Sequence, residues 1–252
     1  MGADRHKRLR VFAGPNGSGK STIKDVVLDY AHLGVYVNAD ELKVILQKDR
    51  RLKLSDYNVV LNKESFINEF RTSSLTSKIN NIDATVSKIS FEDNQIILKD
   101  SYVIEDYFVS FITSYIWNNL LKNSNKFTIE TVMSHPSKLH FMRKAKEAGF
   151  KVYLYFVSLA DPELNKHRVR ARVALGGHPV DEKKIVQRYY RTMGNLYEAI
   201  KIADTAYFFD NSAGEPKLFA IKEKGFLKIM SEYIPKWFDI YVLDVMKKSK
   251  PE

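Results

Sequence analysis

A three-layer α/β fold with a mainly parallel central sheet is what this sequence predicts, and three observations predict it. Short apolar runs at Leu9–Ala13, Gly34–Val37, Phe127–Val132, Lys151–Leu159 and Thr205–Asp210 alternate with helical stretches. That is the rhythm of parallel strands joined by crossover helices. The first run leads into the glycine-rich segment Gly14-Pro15-Asn16-Gly17-Ser18-Gly19-Lys20-Ser21, which opens a helix. Cap residues punctuate the rest: Asp161 before Pro162 and Asp181 as helix starts, Gly149 as a helix end.

The remaining elements follow from periodicity. Ser21–Tyr30 reads as a helix with Ile23, Val26, Val27 and Tyr30 on one stripe, and Glu41–Gln47 and Pro136–Ala148 read as helices too. Between about residues 50 and 107 lies an inserted subdomain. It holds a helix around Lys63–Phe70 and a hairpin in which Val86–Phe91 and Gln95–Leu98 flank Glu92-Asp93-Asn94. A second hairpin, Leu218–Lys222 and Phe226–Ile229, precedes a closing helix over Pro235–Lys247. The whole reads as a single domain, with this insertion and an arginine-rich lid at about residues 160–192.

Composition narrows the chemistry. The 252 residues are 44% apolar, enough for a sizeable core. There is no cysteine, which removes disulfides, thiolate metal sites and Cys nucleophiles, and a cytoplasmic location is expected. The longest apolar-rich stretch, Tyr102–Leu121, is broken by Glu105 and Asp106, so no membrane span is expected. The basic start, Met1–Arg10, lacks the apolar region of a signal peptide. The net charge of +10 suits a nucleotide and a phosphorylated substrate at one site. With no interleaved aromatic-basic stacking motif, it does not by itself point to nucleic acid.

The glycine segment has the pattern G-x-x-x-x-G-K-[ST], specific when it follows a strand and opens a helix. It marks a P-loop NTPase of nucleotide-kinase-like form. Glycines let backbone N–H groups turn inward around a phosphate, and the helix start aims its dipole there. Residues Gly14 to Thr22 therefore form the candidate nucleotide site, for ATP ahead of GTP. Lys20, expected exposed on the loop, neutralises the β- and γ-phosphates, and the Ser21 hydroxyl binds Mg²⁺.

Ligands of open α/β sheets sit beyond the carboxyl ends of the strands. There the second run ends at Asn38 and Asp40, the next carries Glu130 and Thr131, and the last ends at Asp210 and Asn211. Asp40 is the candidate general base, taking a proton from an acceptor hydroxyl, and can also cap the helix starting at Glu41. Glu130, inside an apolar strand, either faces the site, on a substrate hydroxyl or a Mg²⁺ shell, or pairs with an arginine. Val152–Val157 runs into Ser158 rather than the aspartate of a Walker B strand, which argues against motor ATPases and transporters.

Between His167 and Arg191 stand Arg168, Arg170, Arg172, Arg188 and Arg191, on two basic helices around Gly176-Gly177-His178-Pro179. Such a hinged pair describes a lid whose arginines, here Arg172 and Arg188, close over the γ-phosphate. A lone histidine in a turn, His178, carries no assignment.

Four blocks together resemble the zeta-toxin-like P-loop kinases: Gly14–Thr22, Val37–Glu41, Phe127–Val132, and Arg168 through Gly177-His178-Pro179-Val180 to Tyr189. The closing Asp204–Ser212 fits as well, and the resemblance covers roughly residues 8–50 and 108–213. It implies transfer of the ATP γ-phosphate, with Mg²⁺, to a hydroxyl of a small molecule, a UDP-amino sugar in characterised members. It also implies a small antitoxin partner, Asp40 as general base and Glu130 near the sugar. The chain departs from the pattern at Lys43, where these toxins usually have an arginine, and in the insertion, both on the acceptor side.

Overall fold

The computed structural model describes residues 6–77, 79, 81–177 and 179–249, so His178 lies outside the described residues. Along the chain run β1 (Lys7–Ala13), α1 (Lys20–Leu28), β2 (Val35–Asn38), α2 (Ala39–Asp49), β3 (Arg51–Lys53), α3 (Lys63–Thr72) and α4 (Ile82–Val86). There follow β4 (Ile89–Glu92), β5 (Gln95–Leu98), α5 (Asp106–Asn123), β6 (Lys126–Thr131), α6 (Ser137–Glu147) and β7 (Phe150–Ser158). Then come α7 (Pro162–Ala174), α8 (Glu182–Ile202), β8 (Thr205–Asp210), β9 (Lys217–Glu223) and β10 (Phe226–Ile229). A last helical segment spans Lys236–Lys248, with a π-wound turn at Asp239–Leu243. The chain divides into two compact units, Met1–Leu33 with Thr128–Glu252, and Gly34–Phe127.

The first unit holds strands in the order β10-β9-β8-β7-β1-β6. β1, β7 and β8 are parallel, with Ala13 beside Phe156 and Phe156 beside Phe208; β9 and β10 add an antiparallel edge. Alternation along the strands makes two apolar faces. On one, Phe12, Tyr155, Val157 and Phe209 pack with Ile23 of α1 and Leu33, and Phe12, Tyr155 and Tyr207 stack in a row. On the other, Phe156 and Phe208 meet Trp237 and Phe238 of the last helix. Helices on both faces give the three layers.

The α1 stripe is narrower than its sequence suggests. Ile23 is buried and Val27 packs beside it, but Val26 is 47% and Tyr30 87% exposed. Val26 is rotated by about 100° from Val27 on the helix, and Tyr30 lies beyond its end at Leu28. The caps hold as expected. Asp161 accepts from the Glu163 and Leu164 N–H groups at 2.8 and 3.1 Å, and Asp181 from that of Lys184 at 2.9 Å.

The second unit has its own core. β4 and β5 form the expected hairpin on the two-residue turn Asp93-Asn94, both at positive φ (46° and 61°), the geometry that matches strand twist. The hairpin starts at Ile89 rather than Val86, because Asn81 caps a short helix that takes up Ile82–Val86. β3 joins it as a third strand. Phe66 lies edge-on to Phe91, Phe111 and Tyr115 at 5.1–5.3 Å, and Phe70 to Phe108 and Phe111. This cluster binds α3 and the hairpin to α5.

Within the first unit, the Thr128 hydroxyl donates to the Leu33 carbonyl at 2.7 Å. Among the described residues no helix is long and apolar enough to cross a membrane.

Candidate functional site

The loop after β1 can take its form only with glycine at key points. A Cβ on Gly14 would lie 2.1 Å from the Val157 carbonyl oxygen. Gly19 has φ 97°, and a Cβ there would strike the Asn211 side chain at 2.3 Å. α1 begins at the next residue, so the positive end of its dipole faces the loop. Lys20 is not exposed as expected from its place in a loop. It is buried, and its ammonium curls back to donate to the Gly14 and Pro15 carbonyls at 3.2 and 3.1 Å. The loop's own carbonyls thus hold the charge in place.

Beside Lys20, the Ser21 hydroxyl donates to Glu130 Oε2 at 3.4 Å. The half-buried Glu130 on β6 therefore faces the start of α1. Its neighbour Thr131 is buried and turns to local work, its hydroxyl accepting the Met133 N–H at 3.0 Å where Met133 takes a positive φ.

Behind the loop stand residues that had no such role in the sequence reading. Asn165 on α7 donates to the Asn16 carbonyl, and Asn211, just past β8, to the Ser18 carbonyl. The Arg168 guanidinium donates to the Asn211 carbonyl. The available signal for Asn165 was its spacing: Asn165 and Val169 are the two buried positions of α7, four apart, and one is polar.

α7 and α8 carry Arg168, Arg170, Arg172, Arg188 and Arg191. Arg170 Nε donates to Glu182 Oε1 at 2.6 Å, and Lys166 lies 3.6 Å from the same carboxylate, so charges clasp the two helices near the hinge. Arg172 is exposed, with its carbonyl accepting the Leu175 and Gly177 N–H groups that close α7. Arg188 is half-buried on α8. The next residue, Tyr189, anchors that helix, its hydroxyl donating to the Leu159 and Ala160 carbonyls at 3.2 Å each. Burial pushes the Tyr189 hydroxyl well above the usual tyrosine range, so it stays protonated and donating.

In the second unit, Asp40 is an exposed residue of the first turn of α2. It is not the cap: α2 starts at Ala39, and Asn38 Oδ1 accepts the Asp40 N–H at 2.8 Å. The expected capping role therefore fails, and the Asp40 carboxylate owes nothing to the start of the helix beyond its favourable place at the positive dipole end. Lys43, one turn on, pairs with Asp106 of α5 at 2.7 Å.

Comparison with known proteins adds the family. The sequence matches the family described as zeta toxin over residues 94–221, just over half of the chain, a span that holds Glu130, α7, α8 and Asn211. An uncharacterized protein of Haemophilus influenzae is 36% identical over 69 residues, 27% of this chain and 49% of that protein. This chain thus spans about half the length of the curated relative it matches. Among solved structures, the AvrRxo1-ORF1:AvrRxo1-ORF2 complex with sulphate ions superposes with a TM-score of 0.50 at 14% identity, over 90% of this chain and 62% of that one. The native AvrRxo1-ORF1:-ORF2 complex gives 0.50 at 16% identity, over 94% and 62%. At such identities the likeness is one of fold.

Proposed function

The chain belongs to the zeta toxin family, and on that premise we propose that it is an ATP-dependent P-loop kinase that phosphorylates a hydroxyl of a small molecule. The observation that carries this is the juxtaposition of a glycine-built phosphate loop, the buried Lys20 and the Ser21–Glu130 contact within one unit.

In this proposal the loop and the start of α1 hold the ATP phosphates, and Lys20 exchanges its carbonyl partners for phosphate oxygens. The hard oxygen donors of Ser21 and Glu130 fit Mg²⁺. Among the described residues there is no cluster of three His, Cys, Asp or Glu able to hold a metal alone, which suits an ion that takes its other ligands from phosphate and water. When bound, Mg²⁺ neutralises charge on the phosphates. Arg172 and Arg188 are assigned to the transferring phosphoryl group, and Asp40 to the acceptor proton. Lys43, Glu130 and Thr131 are assigned to the acceptor side.

The family resemblance favours a UDP-amino sugar as acceptor, a small antitoxin as protein partner and a cytoplasmic site of action. We assign the segment of about residues 50–107 to shaping the acceptor pocket, and that of about 160–192 to a closing lid. The test is incubation with ATP, Mg²⁺ and a panel of UDP-sugars, nucleosides and RNA ends, followed by a mass-spectrometric search for a product one phosphate heavier. Phosphorylation of a UDP-sugar is the expected result. Turnover with a nucleoside or an RNA end alone moves the acceptor to that class, and no ATP turnover with any of them overturns the proposal.

A further inference from the structure

Two asparagines behind the phosphate loop are enclosed by the fold, Asn165 at 0% and Asn211 at 3% exposure. Asn165 Nδ2 donates to the Asn16 carbonyl at 2.6 Å, and Asn211 Nδ2 to the Ser18 carbonyl at 2.9 Å. Chemistry sets both amide orientations, because a carbonyl can only accept and the side-chain nitrogen must face it. The Oδ1 atom of each is buried without a donor among the described residues, as are Asn16 Oδ1 and Ser18 Oγ on the loop itself. Buried acceptors left unpaired destabilise a fold, and their gathering around one loop points to a use beyond stability.

The two contacts fall on alternate peptide groups of the loop. The described chain has no cis peptide bond, and across a trans peptide the carbonyl and the following N–H point in opposite directions. Holding the Asn16 carbonyl toward Asn165 therefore turns the Gly17 N–H away from α7. Holding the Ser18 carbonyl toward Asn211 turns the Gly19 N–H away from the end of β8. Neither N–H has a partner among the described residues. Asn211 is itself fixed from both sides, its N–H donating to Ser158 at 3.0 Å and its carbonyl accepting from Arg168.

We propose that Asn165 and Asn211 are positioning residues for phosphate binding, holding the outer carbonyls of the loop so that the Gly17 and Gly19 N–H groups already face the anion before it arrives. This rests on the kinase function proposed above. Preorganised donors bind without reorganising at the moment of binding, and a misaimed pair forfeits that gain.

The experiment compares N165D and N211D with the wild type. Each change keeps the side chain's size but sets an oxygen against a carbonyl oxygen. ATP, pyrophosphate and adenosine binding are measured by calorimetry, and unfolding without ligand is followed in parallel. The expected result is ATP and pyrophosphate affinity lowered by up to about 100-fold, unchanged adenosine affinity and a retained cooperative unfolding transition. A merely structural role would move the unfolding transition and all three ligands together. If wild-type protein binds neither ATP nor pyrophosphate, the phosphate-loop function fails and this inference with it. If wild type binds and both folded variants bind equally well, this inference alone is overturned. Should an aspartate variant fail to fold, N165A and N211A replace it, and unfolded alanine forms would show that the asparagines serve the fold and not the ligand.

Discussion

The Ser21 hydroxyl donates to the Glu130 carboxylate, Oγ to Oε2, at 3.4 Å. One residue comes from the first turn of α1, the other from β6. A hydroxyl held by a carboxylate has its lone pairs oriented and its basicity raised, as outer partners do for metal ligands.

Glu130→Gln should therefore raise the Mg²⁺ concentration for half-maximal turnover by about 10–100-fold, with metal-free ATP binding little changed. A magnesium titration of initial rates checks this. An unshifted titration would assign Glu130 to the acceptor alone.

Lys20→Ala should abolish phosphate transfer, because the loop loses its fixed positive charge. Since Lys20 is buried and bonded to two carbonyls, the change should also destabilise the fold by about 1–3 kcal/mol. Denaturant unfolding reads the second effect, labelled ATP the first. Wild-type ATP affinity and turnover in the variant would sink the phosphate-loop assignment.

Asp40→Asn is a cleaner probe. Asn38 caps α2, so the substitution should leave stability within about 1 kcal/mol while transfer falls by about 10²–10⁴-fold. Single-turnover rates at saturating ATP decide it, and a wild-type rate removes Asp40 from the chemistry.

Phe66→Ala should cost about 3–5 kcal/mol, because Phe66 is fully buried and touches rings from the hairpin and α5. The same cluster bears on how the insertion is tested. Excising residues 55–103 would strip Phe108, Phe111 and Tyr115 of their partners, so point changes on the surface of this unit are the better probe of acceptor selectivity. A loss under 1 kcal/mol, read by urea unfolding, would show that the cluster does not hold the unit together.

Alkali should weaken the fold through its enclosed tyrosines. Burial, helped by the charges of Glu41 and Asp56, pushes the Tyr57 hydroxyl up to about 12, and burial raises Tyr102 and Tyr189 as well. Unfolded tyrosines ionise near about 10, and the folded forms hold their protons longer. The stabilisation is thus complete below about pH 10 and is lost as pH rises through the folded values. Unfolding free energy measured between about pH 9 and 12 should fall, and Tyr57→Phe should flatten part of the slope. A wild-type curve flat across that range would contradict the assignment.

The sequence is legible where the chemistry is local. Asp161 before Pro162, Asp181, the Asp93-Asn94 turn and the spacing from Gly14 to Ser21 each specify their own backbone. α5 was harder to see, since ten of its eighteen residues are buried and an apolar surface on every side has no stripe to detect. β3 was missed because its partner strand lies more than forty residues away. Asn165 stayed hidden for a related reason, and Asn211, visible at a strand end, had no role there. An asparagine's meaning depends on which carbonyl it meets, and only the folded chain supplies that partner.

The bond from Thr128 to Leu33 has a consequence for how such a chain diversifies. The path leaves the first unit at Leu33 and re-enters at Thr128, and these two points are stapled 2.7 Å apart. Whatever runs between them closes a loop whose ends are already fixed, and the entropy of closure grows only slowly with length. Residues 34–127 behave in this respect as a cassette. Insertions or deletions within it therefore cost little in closure entropy.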